Sequence, residues 1–168
     1  MGHSKTLIVG LGLAAALGCA GVVGKVQRSL RSPGEKLATV PDDVWSEYKC
    51  GEQKLPLFRL ERTELVPQRV TAGENVNHRI VYALCPTEPT LVIEGTLQTR
   101  ILFKGKPVVR DADGHYEIKP GRWVVDTFIQ IPPQAETGIY SVEVQFLSET
   151  VNFREERSFA VEHRQQKQ

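Results

Sequence analysis

A chain of 168 residues, 40% hydrophobic and 24% charged, has room for one globular domain plus a leader or tail. Its formal net charge of +1 excludes a bulk electrostatic case for nucleic acid or for an acidic surface. Aromatic residues at 7% argue against a broad stacking platform, and three cysteines leave one over if two of them pair.

The first twenty or so residues read as an export leader. Residues 1–5 carry one lysine, 6–17 form an almost unbroken apolar run, and Gly18-Cys19-Ala20-Gly21 supplies small residues at a cut site. The cysteine directly after Ala16-Leu17-Gly18 resembles the lipobox of bacterial lipoproteins, with Ala16 at the first box position. In that family the leader is cut before the cysteine, whose thiol then carries a diacylglycerol. The resemblance implies a signal peptide over 1–18, lipidation at Cys19 and attachment to a membrane through that lipid. It also implies an extracytoplasmic location, on the periplasmic face or the outer membrane of a bacterium. Other readings stay open. The run from Leu7 to Val23 is at the short end of what spans a bilayer, and Lys25, Arg28 and Arg31 after it would hold that side in the cytoplasm. An ordinary cleaved secretion signal is a further alternative. Gly2 fits a myristoylation pattern that the apolar run makes redundant. Gly10-Leu11-Gly12-Leu13-Ala14-Ala15 fits a dinucleotide fingerprint but lacks the acidic ribose partner downstream.

Residues 19–49 read as the lipidated N-terminus and a linker. The stretch 20–45 contains Gly, Ser and Pro, is basic at Lys25, Arg28 and Arg31, and has no stable apolar period. A semi-flexible tether fits, and each cation would add about 1 kcal/mol beside anionic head groups. Pro41-Asp42-Asp43-Val44-Trp45-Ser46-Glu47-Tyr48 suits a short helical turn. Trp45 and Tyr48 then lie at i, i+3, placed to cap one end of the core or to form a partner-binding knob.

Residues 50–162 read as strands. The segment 57–65 alternates apolar and charged at its start and suits an edge, with Lys54, Arg59 and Glu61 to blunt it. Pro67 cannot donate to a ladder and marks a break, and Thr71-Ala72-Gly73-Glu74 is a turn. Across 76–85, Val76, His78, Ile80, Tyr82 and Leu84 share the core face, leaving Asn77 and Arg79 outside. Across 95–103, Leu97, Thr99, Ile101 and Phe103 point inward and Gln98 and Arg100 outward. Lys104-Gly105-Lys106 turns into a strand at 107–110, 111–115 is a polar loop, and 123–131 is a strand stopped by Pro132-Pro133. Gly138-Ile139-Tyr140-Ser141-Val142-Glu143-Val144-Gln145-Phe146 reads as a central strand. After a turn near Ser148-Glu149, the last strand lies around 157–162 with Phe159 and Val161 inward, and 163–168 is a polar tail. About seven strands without a long helix predict an all-β fold, an antiparallel sandwich.

The stretch Ala135-Glu136-Thr137-Gly138-Ile139-Tyr140-Ser141-Val142 resembles the corner before strand F of immunoglobulin-like domains. There a glycine turns the chain and a tyrosine two residues later bonds back to the backbone. The resemblance implies an immunoglobulin-like sandwich. Glu136 replaces the usual Asp, and Val142 stands where antibody domains place a cysteine, so their inter-sheet disulfide is not expected.

Cys50 and Cys85 suit a disulfide in an oxidising compartment, joining the start of the domain to the end of the second strand for about 3–4 kcal/mol. Asp111-Ala112-Asp113-Gly114 starts like a calcium loop, but Tyr116 and Arg122 stand where such a loop needs Gly and an acid. His3, His78, His115 and His163 share no ligand spacing, so no metal is expected. No nucleophile-elbow, zinc-protease or phosphate-loop motif is present. The chain is therefore read as not an enzyme, with no catalytic residue and no cofactor. Tyr116, Arg122 and Trp123, with Tyr82, are candidates for a binding face, core packing being the plainer role of the aromatic three. The reading that follows is a non-catalytic interaction or structural subunit of a cell-envelope assembly, with a protein partner and no nucleic acid. The alternatives are a carbohydrate- or cell-wall-binding module centred on Trp123, and a small envelope hydrolase.

Overall fold

A computed structural model describes residues 31–162; Cys19, the leader, most of the tether and the tail 163–168 lie outside the described residues. In chain order the elements are β1 (Gly34–Thr39), α1 (Pro41–Glu47), a 3-10 turn (Cys50–Glu52), β2 (Leu57–Val66), β3 (Arg69–Thr71), β4 (Asn75–Cys85), β5 (Ile93–Phe103), β6 (Lys106–Ile118), β7 (Gly121–Gln130), β8 (Gly138–Leu147) and β9 (Asn152–Glu162). They form two sheets, β1-β7-β4-β2 and β3-β9-β8-β5-β6. Every pairing is antiparallel except β3 with β9. This is the expected all-β sandwich. Its order follows the immunoglobulin scheme, with β2-β4-β7 in the places of strands A, B and E and β9-β8-β5-β6 in those of G, F, C and C′. The place of strand D is filled by β1, which arrives from the N-terminal side.

Alternation builds the interior. Val76, Ile80, Tyr82 and Leu84 of β4 face Tyr140, Val142, Val144 and Phe146 of β8, joined by Ile101, Ile118, Phe159 and Val161. Gly138 has φ +154, and a Cβ there would stand 2.8 Å from the Phe103 ring, so glycine is required where the chain enters β8. Two residues on, the Tyr140 hydroxyl donates to the Glu136 carbonyl at 3.1 Å, the expected corner bond. Val142 is buried, and its packing serves where antibody domains use a disulfide.

Several local expectations change. Gly34–Thr39, read as linker, is β1, paired along β7; its sequence buries neither face strongly, and the pairing comes from tertiary context. The polar loop expected at 111–115 lies inside β6, where Asp111 pairs with Thr99 and Asp113 with Leu97. Residues 106–115 are exposed along an edge, so polar side chains there read as loop although the backbone is extended. The last strand begins at Asn152, earlier than expected. Pro67 does break the chain between β2 and β3. Asn77 lies off the core face as expected but is fully buried, because Arg31 covers it and donates to its side-chain oxygen at 2.7 Å.

Polar groups on the outward faces are also buried. Glu143, 1% exposed in the middle of β8, accepts from Arg100 and Arg154. Burial opposes its ionisation, but the two guanidinium groups outweigh that and hold its carboxyl below the usual range. Asp126 behaves alike: burial pushes up, and paired hydrogen bonds from Arg79 at 2.9 and 2.7 Å bring it below its ordinary value.

Candidate functional site

The ends of the sandwich differ. Arg31 sits beside Asn77 at the start of β4, and β9 closes at Glu162 beside Thr71 of β3. The turn from β3 to β4 binds the end of β7 through Gly73 and Ile131. Both described termini therefore leave from this end. At the other end lie α1, the Cys50–Glu52 turn and the loops β4–β5, β6–β7 and β8–β9.

Helix α1 starts with a proline in its first turn and has Asp42 and Asp43 near its positive end, both favourable there. It lies on the side of the four-stranded sheet away from the main core, against β4 and β7. Val44 is fully buried there with Cys50, Ala83 and Cys85, flanked by Trp45, Tyr48, Leu55 and Leu57. Trp45 and Tyr48 thus belong to a second apolar cluster and do not cap the end of the main core. The expected disulfide closes it: Cys50 and Cys85 are bonded, with Cα atoms 6.2 Å apart. Arg122 ties the same end together, donating to Glu61 at 2.8 and 2.9 Å, to Glu47 at 2.7 Å and to Thr39 at 3.1 Å. The hydrogen bond from Arg122 holds the Glu47 carboxyl below its ordinary value, and Glu47 and Glu61 push the guanidinium up in return.

The three candidate binding residues do not share an open face. Trp123 packs against the core, and its indole N–H donates to the Pro120 carbonyl at 2.8 Å. Tyr116 donates its hydroxyl to Glu35 at 2.7 Å; burial, then this bond, pushes the phenol up. Arg122 points to the opposite side of its sheet, into the network just described. Tyr82 is buried and accepts from the Lys119 backbone at 3.2 Å.

No family model and no curated protein matches the chain. Among solved structures it is similar to part of a β-glucosidase from Listeria innocua, at 14% identity and a TM-score of 0.44, covering 65% of this chain and 16% of that one. It is similar to part of the alkylpurine DNA glycosylase AlkC of Pseudomonas fluorescens, at 12% identity and a TM-score of 0.42, over 62% of this chain and 30% of that one. It is also similar to the sporulation control protein Spo0M of Bacillus subtilis, at 12% identity and a TM-score of 0.42, over 64% of this chain and 50% of that one. The chain spans half or less of each of these proteins, and likeness at this level carries no function across.

Among the described residues no group of three or more His, Cys, Asp or Glu could hold a metal ion, and no helix is long and apolar enough to cross a membrane. Two surface hollows flank the β4–β5 loop at the α1 end. One, of about 210 Å³, is lined by Pro41, Asp42, Trp45, Leu84, Pro86 and Pro89. The other, of about 380 Å³, lies between residues 91–96 and 147–150. Of eight exposed large apolar side chains among the described residues, Leu37, Val40, Leu91, Val92 and Leu147 belong to this end. In the sequence Trp45 stood out; Pro86 and Pro89 signalled only the end of a strand.

Proposed function

We propose that the protein is a lipid-anchored, extracytoplasmic immunoglobulin-like module that binds another protein of the bacterial cell envelope and performs no catalysis. The observation that carries this reading is the Cys50–Cys85 bond. Disulfides persist in oxidising compartments, and this one is built into a chain whose first residues read as an export leader. The fold adds support of a geometric kind. Both described termini leave from one end of the sandwich, so a tether from Cys19 frees the α1 end, where apolar side chains are exposed.

Cell fractionation tests the anchor. The wild-type protein is expected in the membrane fraction, and Cys19→Ser in the soluble extracytoplasmic fraction. A Cys19→Ser protein that stays wholly with the membrane after loss of residues 1–18 would rule out the lipid, and one that stays there with residues 1–18 in place would leave a retained helix open.

A further inference from the structure

We propose that the hollow between α1 and the β4–β5 loop is the docking site for a basic segment of the partner, which seats a Lys or Arg side chain there. This rests on the partner-binding reading above and adds the partner's chemistry. Three prolines, Leu84 and the half-buried Trp45 indole make an apolar bed of about 210 Å³, and Asp42 is the charged group on its wall. A Lys or Arg stem lies along such a surface, its cation is drawn to the indole face, and a carboxylate at the rim takes the charge. The Asp42 carboxylate makes no ion pair with any described residue; only its backbone carbonyl is engaged, by the Ser46 hydroxyl. Asp43, Glu52 and Glu88 carry exposed carboxylates outside the ion pairs of this end and Lys49, Lys54 and Arg59 exposed cations, so the surroundings balance and Asp42, on the wall itself, sets the sign of the hollow. Exposed Val40 and Leu91 give neighbouring apolar residues of such a segment a place to rest.

The test uses the full-length chain in detergent micelles and follows its two tryptophan indole N–H signals, assigned with Trp45→Phe. The probes are the blocked peptides Leu-Arg-Val-Arg and Leu-Glu-Val-Glu. The basic peptide is expected to shift the Trp45 signal saturably and leave that of Trp123 in place. Asp42→Asn should weaken binding about tenfold, as for one charge-assisted contact. Asp43→Asn, in the same helical turn but off the hollow's wall, should leave it nearly unchanged and so controls for the helix. No saturable shift, an equal response to the acidic peptide, or an unaffected Asp42→Asn variant would overturn the proposal. A photo-crosslinking residue at Val40 or at Ile139, in native membranes, separates the two readings. An adduct at Val40 that Asp42→Asn reduces supports the hollow. An adduct at Ile139 alone overturns the hollow and leaves partner binding standing. No adduct at either position counts against both.

Discussion

The two apolar clusters of this domain are held by different means. Between the sheets, alternation along β4, β5, β8 and β9 interleaves a large core ending in Phe146 and Phe159, both nearly inaccessible. Outside the four-stranded sheet, a handful of side chains from α1, the 3-10 turn and the odd face of β4 form a cluster too small to fix itself, and a covalent bond closes it. The first cluster decides the fold. The second decides whether the α1 end, with its hollow and exposed apolar groups, keeps its shape.

Breaking the first cluster should cost most. Phe146→Ala removes a ring that stacks on Phe153 and meets Tyr116 edge-on. The expected loss is about 3–5 kcal/mol in urea unfolding, enough to lose the whole domain if it is marginal. Removing the bond with Cys50→Ser and Cys85→Ser together should cost about 3–4 kcal/mol. Hydrogen exchange should then quicken in α1 well before β8; equal quickening in both would mean that the clusters are one cooperative unit.

The core also contains a pH-sensitive group. Burial, with smaller effects from Glu155 and Arg157, lowers His78 to about 4 from 6.5. The unfolded chain therefore binds more protons between those values. Stability from keeping His78 neutral is full above pH 6.5 and is lost as pH falls toward 4, about 3 kcal/mol in all. Its Nε2 has no partner among the described residues, and it borders a small cavity of about 50 Å³. His78→Leu should flatten this window in pH-dependent unfolding. The lowered carboxyls of Glu143 and Asp126 act separately: their contribution is present at neutral pH and lost only as pH falls through their own depressed values. The smallest expected effect is that of Tyr140→Phe, which leaves the Glu136 carbonyl without its donor and should cost about 1 kcal/mol in the same unfolding assay.

What could be read in advance follows the same division. Period-two alternation exposed the core faces of β4, β5 and the end of β9, because each sends alternate residues into the shared core. Gly138 and Tyr140 announced the corner because only glycine fits its backbone and the hydroxyl needs an acceptor. β1 and the far half of β6 could not be read this way. Each is an edge strand whose residues bury little, so neither carries an apolar period, and pairing with a neighbour makes them extended. The disulfide was legible from the cysteine count together with the export leader expected in the first residues. The cluster it closes was not, since it gathers residues from 44 to 85 with no period in common. The hollow was visible only in part, through Trp45, because Pro86 and Pro89 reach it by the path of a loop.

The central claim, an exported module held by lipid at Cys19, is tested most directly by the mass of the chain purified from native membranes. A chain beginning at Cys19 and heavier by a diacylglyceryl group is the expected result. A chain that retains residues 1–18, or that begins after Cys19, would contradict it.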